Sequence, residues 1–331
     1  MVLGAYPERK PRGARLEYDV DRGLFRLSFK AMGTPCRVLF AGMDKPSATA
    51  AARASLEWVA RFEGKYSRFL DTSLIAEMNR CAGASWVSVD LETERILSLC
   101  DDLHFMTGGL LDPTLLPLIE LWDYRFGCPR RLPNEDEIET AKSLVGWEKV
   151  ERCEGAVFLP RPGMRLDFGG FGKEYAVDEV AGLVMSRGAS ACLVDFGQDI
   201  RAIGAPPDAP SWLVGLEDPQ APGTTWTTLA IVDAGVATSG DYWRFFEFEG
   251  RRFGHIVDPR SGRPVANGVL SATVVASSCL EAGALSTSAY TAGLDEGATL
   301  IQAHFQADGC LLTASARRQT SNFDAYVAEY D

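Results

Sequence analysis

The sequence predicts an α+β fold, and two features of it carry that expectation. Helical and strand-like runs are mixed without the strict strand–helix–strand alternation of a doubly wound sheet. After an opening strand pair, amphipathic helical spacing predominates to about Val145, and from Lys149 onward short β runs separated by turn residues take over. With 331 residues, 46% of them apolar and 24% charged, the composition is that of a globular protein able to bury a large core. The length fits two domains or one large unit of two lobes.

In chain order, residues 1–23 are rich in Pro, Gly and Arg and are expected to be a flexible arm, leaving 24–331 as a single domain. LFRLSFKAMGTPCRVLFAG reads as two strands around a turn at Gly33. Ala48 to Phe62 has helical apolar spacing, and Asp71 is placed to cap a short helix through Asn79. Asp90 to Thr107 repeats the pattern, with Ile96, Leu97, Cys100 and Leu103 on one face and Gly108-Gly109 ending it. Asn134 with Glu137 three residues on is a capping box for a helix to Val145. The β runs then follow: GAVFLP, MRLDFGG, ACLVDFG, RAIGA, SWLVGLEDP, TTLAIVDAGVATSG, the aromatic hairpin turning at Glu249-Gly250, and LSATVVAS. Two helical segments, Leu280 to Thr291 and Asp295 to His304, close the pattern.

A net charge of −12 disfavours a nucleic-acid partner, because the phosphate backbone would be repelled. An anionic substrate would need a local positive site or a bound cation. Eight cysteines lie scattered with no C-x-x-C pair, which fits neither a zinc site nor a dense disulfide framework and suits a reducing compartment. No apolar h-region and no run long enough to span a membrane is present, so a cytoplasmic protein is expected.

LDFGGFGKEYAVDEV, Leu166 to Val180, has the form strand, glycine turn, helix, with Lys173 in the first turn. Such a junction presents backbone N–H groups to phosphate. It is not a Walker loop, since Glu174 follows Lys173, and the glycine spacing is not that of a dinucleotide fingerprint. Of the three histidines, His104 and His304 sit in helical patterns, whereas His255 lies where a β run breaks into the Asp-Pro turn of FGHIVDPRSG. Sites are often built at such strand ends. Asp258 could orient the imidazole or cap the turn. No G-x-S-x-G elbow occurs.

Taken in order, AMGTPCRV, SRFLDTSLIAEMN, GGLLDPTLLPLIELW, LDFGGFGKEYAVDEV, LVDFGQDIRAIG, WLVGLEDP, VATSGDYWRFFEFEGRRFGHIVDPRSGRPV and TVVASSCLEAGALSTSAY resemble the ApbE family of FAD:protein FMN transferases. The likeness runs from about Ala31 to about Gly293. It implies a T-fold-like, two-lobed α+β architecture with mixed or antiparallel sheets flanked by helices and FAD in the cleft between the lobes. It also implies FAD and Mg2+ as ligands, and transfer of FMN to a Ser or Thr of a flavin-acceptor protein with release of AMP. Acceptors carry a segment like D-x-x-[ST]-G-A-[ST], and this chain has none. By resemblance His255 is the base for the target hydroxyl and Asp258 its orienting partner. Met32, Gly33 and Thr34 line the flavin pocket, and Phe69 stacks on FAD where the family often has Tyr. Asp112 and Thr114 shape the adenosine side, Ser239, Gly240 and Asp241 form the turn near the pyrophosphate, and Lys173 pairs with a phosphate or braces the loop.

The resemblance also implies a metal held by the Gly172 carbonyl, Thr287 and an Asp one helical turn before it. Here that turn reads EAGALST, with Gly283 at the Asp position. Glycine has no side-chain oxygen, so a weakened Mg2+ site is expected, with Glu174 the candidate compensating carboxylate. The alternatives are an FAD pyrophosphatase or a flavin-binding relative with lost or altered catalysis.

Overall fold

The computed structural model describes residues 6–122, 131–242 and 244–328. Among them nine strands form one antiparallel sheet whose spatial order is the chain order. These are β1 (Arg12–Asp19), β2 (Leu24–Ala31), β3 (Thr34–Ala41), β4 (Ala191–Phe196), β5 (Asp199–Ile203), β6 (Gly235–Gly240), β7 (Val269–Ala276), β8 (Asp308–Thr313) and β9 (Arg317–Gln319). The alternation of β3 shows why the sheet can be covered on both sides. Cys36, Val38 and Phe40 enter one core, while Ala41 enters the core on the opposite face.

Four helices cover one face. α1 (Lys45–Tyr66) and α6 (Gly172–Ser186) pack over β2 to β4, and α7 (Cys279–Ala292) with α8 (Leu294–Gln302) over β6 to β8. α1 starts where Asp44 accepts a hydrogen bond from Ser47 N (2.9 Å) ahead of Pro46, a cap worth about 1 kcal/mol. The hairpin Trp212–Glu217/Thr225–Ile231 covers the other face with Trp212, Val214, Leu216, Leu229 and Ile231. Between α1 and α6 run α2 (Leu74–Arg80), α3 (Leu91–Met106), α4 (Leu116–Leu121) and α5 (Glu135–Ser143). α4 and α5 form a smaller core with Phe246 and Val257. Among the described residues no helix is long and apolar enough to cross a membrane, and the seven described cysteines are unpaired, Cys128 lying outside them.

The α+β expectation and the Asn134 capping box are as observed. Four local expectations are corrected. The proposed arm is structured from Tyr6 on. Arg9 N donates to Ala60 O (3.0 Å), its guanidinium pairs with Glu63 (3.1 Å), and β1 pairs with β2, Tyr18 lying against Phe25. Prolines and glycines did not prevent this, because Gly13 sits at a register shift in β1 and the prolines lie before the strand. The cap of α2 is Ser73, which accepts from Ala76 N (3.0 Å), since it directly precedes the buried pair Leu74-Ile75. MRLDFGG is extended but joins no sheet. Asn79 clamps Leu166 on both sides (2.6 and 2.9 Å) and Pro113 O accepts from Asp167 N (2.9 Å), replacing a ladder. Finally, the helices do not end the fold, because β8, β9 and the buried Phe323 follow.

Candidate functional site

Two tight turns share one end of the sheet. Met32 and Gly33 (φ 51° and 75°) connect β2 to β3, and Gly197 and Gln198 (φ 66° and 74°) connect β4 to β5. These left-handed pairs suit the twist of a two-residue hairpin. They touch: Gly197 N donates to Pro35 O (3.1 Å), and a Cβ on Gly197 would lie 2.1 Å from Thr34 Oγ1. The buried Glu63 of α1 accepts from Met32 N (3.1 Å) and so fixes the first turn to the helical layer.

The second turn leads into Asp199, which is buried and pairs with the Lys173 ammonium. Burial alone would lower the Lys173 pKa, but Asp199 and Glu174 outweigh it and hold the ammonium firmly charged. The Lys173–Asp199 pair ties the first turn of α6 to β5. The N-cap of α6, Phe171, makes no side-chain cap, and a Cβ on Gly170 would meet nothing within 4 Å. Gly172 N donates to Phe168 O (2.6 Å), so it is the exposed Gly169-Gly170 turn ahead of the helix that is open to an anionic group. Glu174, in the first turn, is buried. Burial first, then Asp199, pushes its carboxyl well above the usual carboxylate range, and Lys173 only partly offsets this.

α6 and α7 are locked in antiparallel register. Asp178 accepts from Cys279 N (3.0 Å) and Leu280 N (2.8 Å), capping α7 from the neighbouring helix. One turn along each helix, Glu174 lies against Gly283, and an added Cβ there would stand 2.5 Å from Glu174 Cγ. A further turn along α7, Thr287 Oγ1 lies 2.9 Å from Ser239 Oγ, which also meets Ser286 Oγ at 3.0 Å. Ser239 and Gly240 end β6, and Asp241 packs on Gly254, the residue before His255.

The His255 Nδ1 lies 3.3 Å from the Arg244 carbonyl. Although the ring is partly open, the surrounding protein, then the Arg244 guanidinium and the Lys173 ammonium, push its pKa down to about 4. Near neutral pH the imidazole is therefore the free base. Asp258, three residues on, accepts from Arg260 N (2.9 Å) and the Arg260 guanidinium (3.1 Å), which holds the Asp-Pro turn.

Phe69 is 60% exposed with Arg68 over its ring (4.6 Å), and Arg68 pairs with Asp167 of the LDFGG segment (3.2 Å). The face of Phe69 thus stands beside the glycine turn. Asp112 and Thr114 are turned inward. Asp112 accepts from Thr114 N (2.7 Å), Thr114 Oγ1 (2.6 Å) and Trp147 N (3.0 Å), and Thr114 Oγ1 accepts from Gly146 N (2.7 Å). Together they tie this segment to Gly146 and Trp147. Sequence reasoning did not anticipate Glu63, Asp199, Asp178 or Ser286. Only Ser286, adjacent to Thr287, carried a local signal.

A family model for the ApbE family matches residues 32–311. The chain belongs to the ApbE family. Among curated ApbE relatives, an FAD:protein FMN transferase of Vibrio cholerae is 30% identical over 244 residues, 72% of either chain. Another from Klebsiella pneumoniae is 26% identical over 296 residues, 88% of this chain and 90% of that one. Among solved structures, the ApbE protein of Thermotoga maritima superposes with a TM-score of 0.83 at 28% identity, covering 92% of this chain and 100% of that one. The flavin transferase ApbE of Vibrio cholerae gives 0.79 at 26% identity, covering 95% and 99%.

Proposed function

We propose that this chain transfers FMN from FAD to a Ser or Thr hydroxyl of an acceptor protein, releasing AMP. The observation that supports this reading is a neutral His255 close enough to the glycine turn for the Lys173 ammonium to help lower its pKa. The target hydroxyl attacks the FMN phosphorus. Its oxygen forms the new P–O bond, the P–O bond to AMP breaks, and the proton passes to His255. Backbone N–H of the glycine turn ahead of α6 donates to phosphate oxygens. Met32, Gly33 and Thr34 border the flavin, Phe69 supplies a stacking face, and Gly240 and Asp241 set the turn beside His255.

The residues present also fit a hard divalent cation. Glu174 Oε2 is buried with no hydrogen-bond partner among the described residues, and the helix it packs on at Gly283 carries Ser286 and Thr287, whose hydroxyls both meet Ser239. Thr287, the Gly172 carbonyl and Glu174 would hold Mg2+, which when bound supplies positive charge to the pyrophosphate oxygens.

The test is incubation of the protein with FAD, Mg2+ and a carrier protein bearing a D-x-x-T-G-A-T segment. AMP is followed by chromatography, and the carrier by in-gel flavin fluorescence. The wild type should label the carrier with one AMP per flavin, and His255→Ala should lower the rate by about 10² to 10⁴. FMN equal to AMP with an unlabelled carrier would make the protein a pyrophosphatase. FAD binding with no AMP at all would overturn both.

A further inference from the structure

We infer that the acidic wall of the cation site has been transposed from α7 to α6, with Glu174 acting through the notch that Gly283 leaves. The inference rests on the reading of the site as one that binds FAD with a divalent cation. It concerns which helix carries the anionic ligand.

Three observations converge. First, the space that a side chain at 283 would fill is already taken. A Cβ there would meet Glu174 Cγ at 2.5 Å, Cδ at 3.2 Å and Cβ at 3.3 Å. Even alanine at 283 would therefore collide with Glu174, and glycine is what lets the glutamate reach across. Second, the carboxylate so admitted is 8% exposed, and its Oε2 has no hydrogen-bond partner among the described residues. A buried acceptor left without a donor is unfavourable, and a bound cation would supply the missing partner. Third, the helix that carries Gly283 presents hydroxyl oxygens on its following turn. Thr287 lies one turn beyond Gly283, its Oγ1 held by Ser239, while Ser286 Oγ is tied to the Gly283 carbonyl (3.1 Å).

The neighbouring charges do not satisfy Glu174. Lys173 Nζ is 4.0 Å from Oε1, but the ammonium is committed to Asp199. Two buried carboxylates therefore crowd one ammonium, and an oxygen of Glu174 stays available to a divalent ion. The register that makes the exchange workable is set elsewhere, by Asp178 capping α7, so neither partner needs the other to hold the helices in place.

The test measures metal, not turnover. Mn2+ binding to the FAD-loaded protein is followed by EPR, with FAD affinity read separately from flavin fluorescence and the fold from circular dichroism. Glu174→Gln keeps the shape and removes the anion, and should weaken Mn2+ at least about tenfold while FAD stays bound. The double variant Glu174→Gly with Gly283→Asp moves the carboxylate to α7 and should restore binding to within a few-fold of wild type. Mn2+ affinity unchanged in Glu174→Gln would overturn the inference, as would a folded, FAD-binding double variant that fails to recover it. Either result would leave the FMN-transfer reading standing, because that reading is judged by AMP and the labelled carrier.

Discussion

Protonation of His255 should occur far below its ordinary range, and that can be measured without turnover. An unperturbed imidazole has a pKa near 6.5, whereas burial, Arg244 and Lys173 bring this one to about 4. At about pH 5.5 an ordinary imidazole would be about 10% free base, and His255 about 97%. If His255 is the base, kcat/KM at that pH should exceed the value for an ordinary histidine by about tenfold, with the acid limb displaced below pH 5. With only three histidines in the chain, ring signals in an NMR titration can be assigned by single replacements. Arg244→Gln should move the midpoint upward without restoring the ordinary value, since burial is the larger cause. The sign for stability follows from the same shift. The folded pKa lies below the unfolded one, so His255 costs nothing above about pH 6.5 and lowers stability progressively as pH falls toward 4. A titration midpoint between 6 and 7 would refute the electrostatic account of the site.

Two further substitutions separate scaffold from ligand surface. Gly197→Ala should destabilise the protein by about 2–3 kcal/mol in urea unfolding, combining a left-handed φ of 66° with a Cβ 2.1 Å from the stiff Thr34 side chain. Phe69→Ala should leave stability within about 0.5 kcal/mol, because the ring is already 60% exposed, yet weaken FAD binding in a fluorescence titration.

The contrast between those two positions is also the contrast between what the sequence made legible and what it did not. β2, β3 and their Gly33 turn could be read because alternation and a left-handed glycine are local properties. The Asn134 cap was legible for the same reason, its partner lying three residues away. LDFGG has the composition of a strand, but whether a strand joins a sheet depends on a free edge. Here Asn79, some ninety residues earlier, supplies the hydrogen bonds instead. Glu63 to Met32 and Lys173 to Asp199 are illegible in kind, since an ion or hydrogen-bond partner chosen by three-dimensional packing leaves no periodic trace.

Gly283 shows where the two kinds of information meet. As a residue in a sequence it is a gap: a helix position with no side-chain oxygen and about 1 kcal/mol less helix propensity than alanine. Glu174, equally alone, is a first-turn acid at a helix start, a position where negative charge is ordinary. Only the antiparallel register fixed by Asp178 brings the two within 2.5 Å of collision, and only that collision explains both at once. A side chain larger than hydrogen at 283 and the inward glutamate at 174 exclude each other. A chain that changed one of them first would have had either two crowded groups or a hole lined by no acid. The pair is therefore best understood as one feature divided between two helices, and variants at 174 and 283 should be strongly non-additive, each single change more damaging than the double.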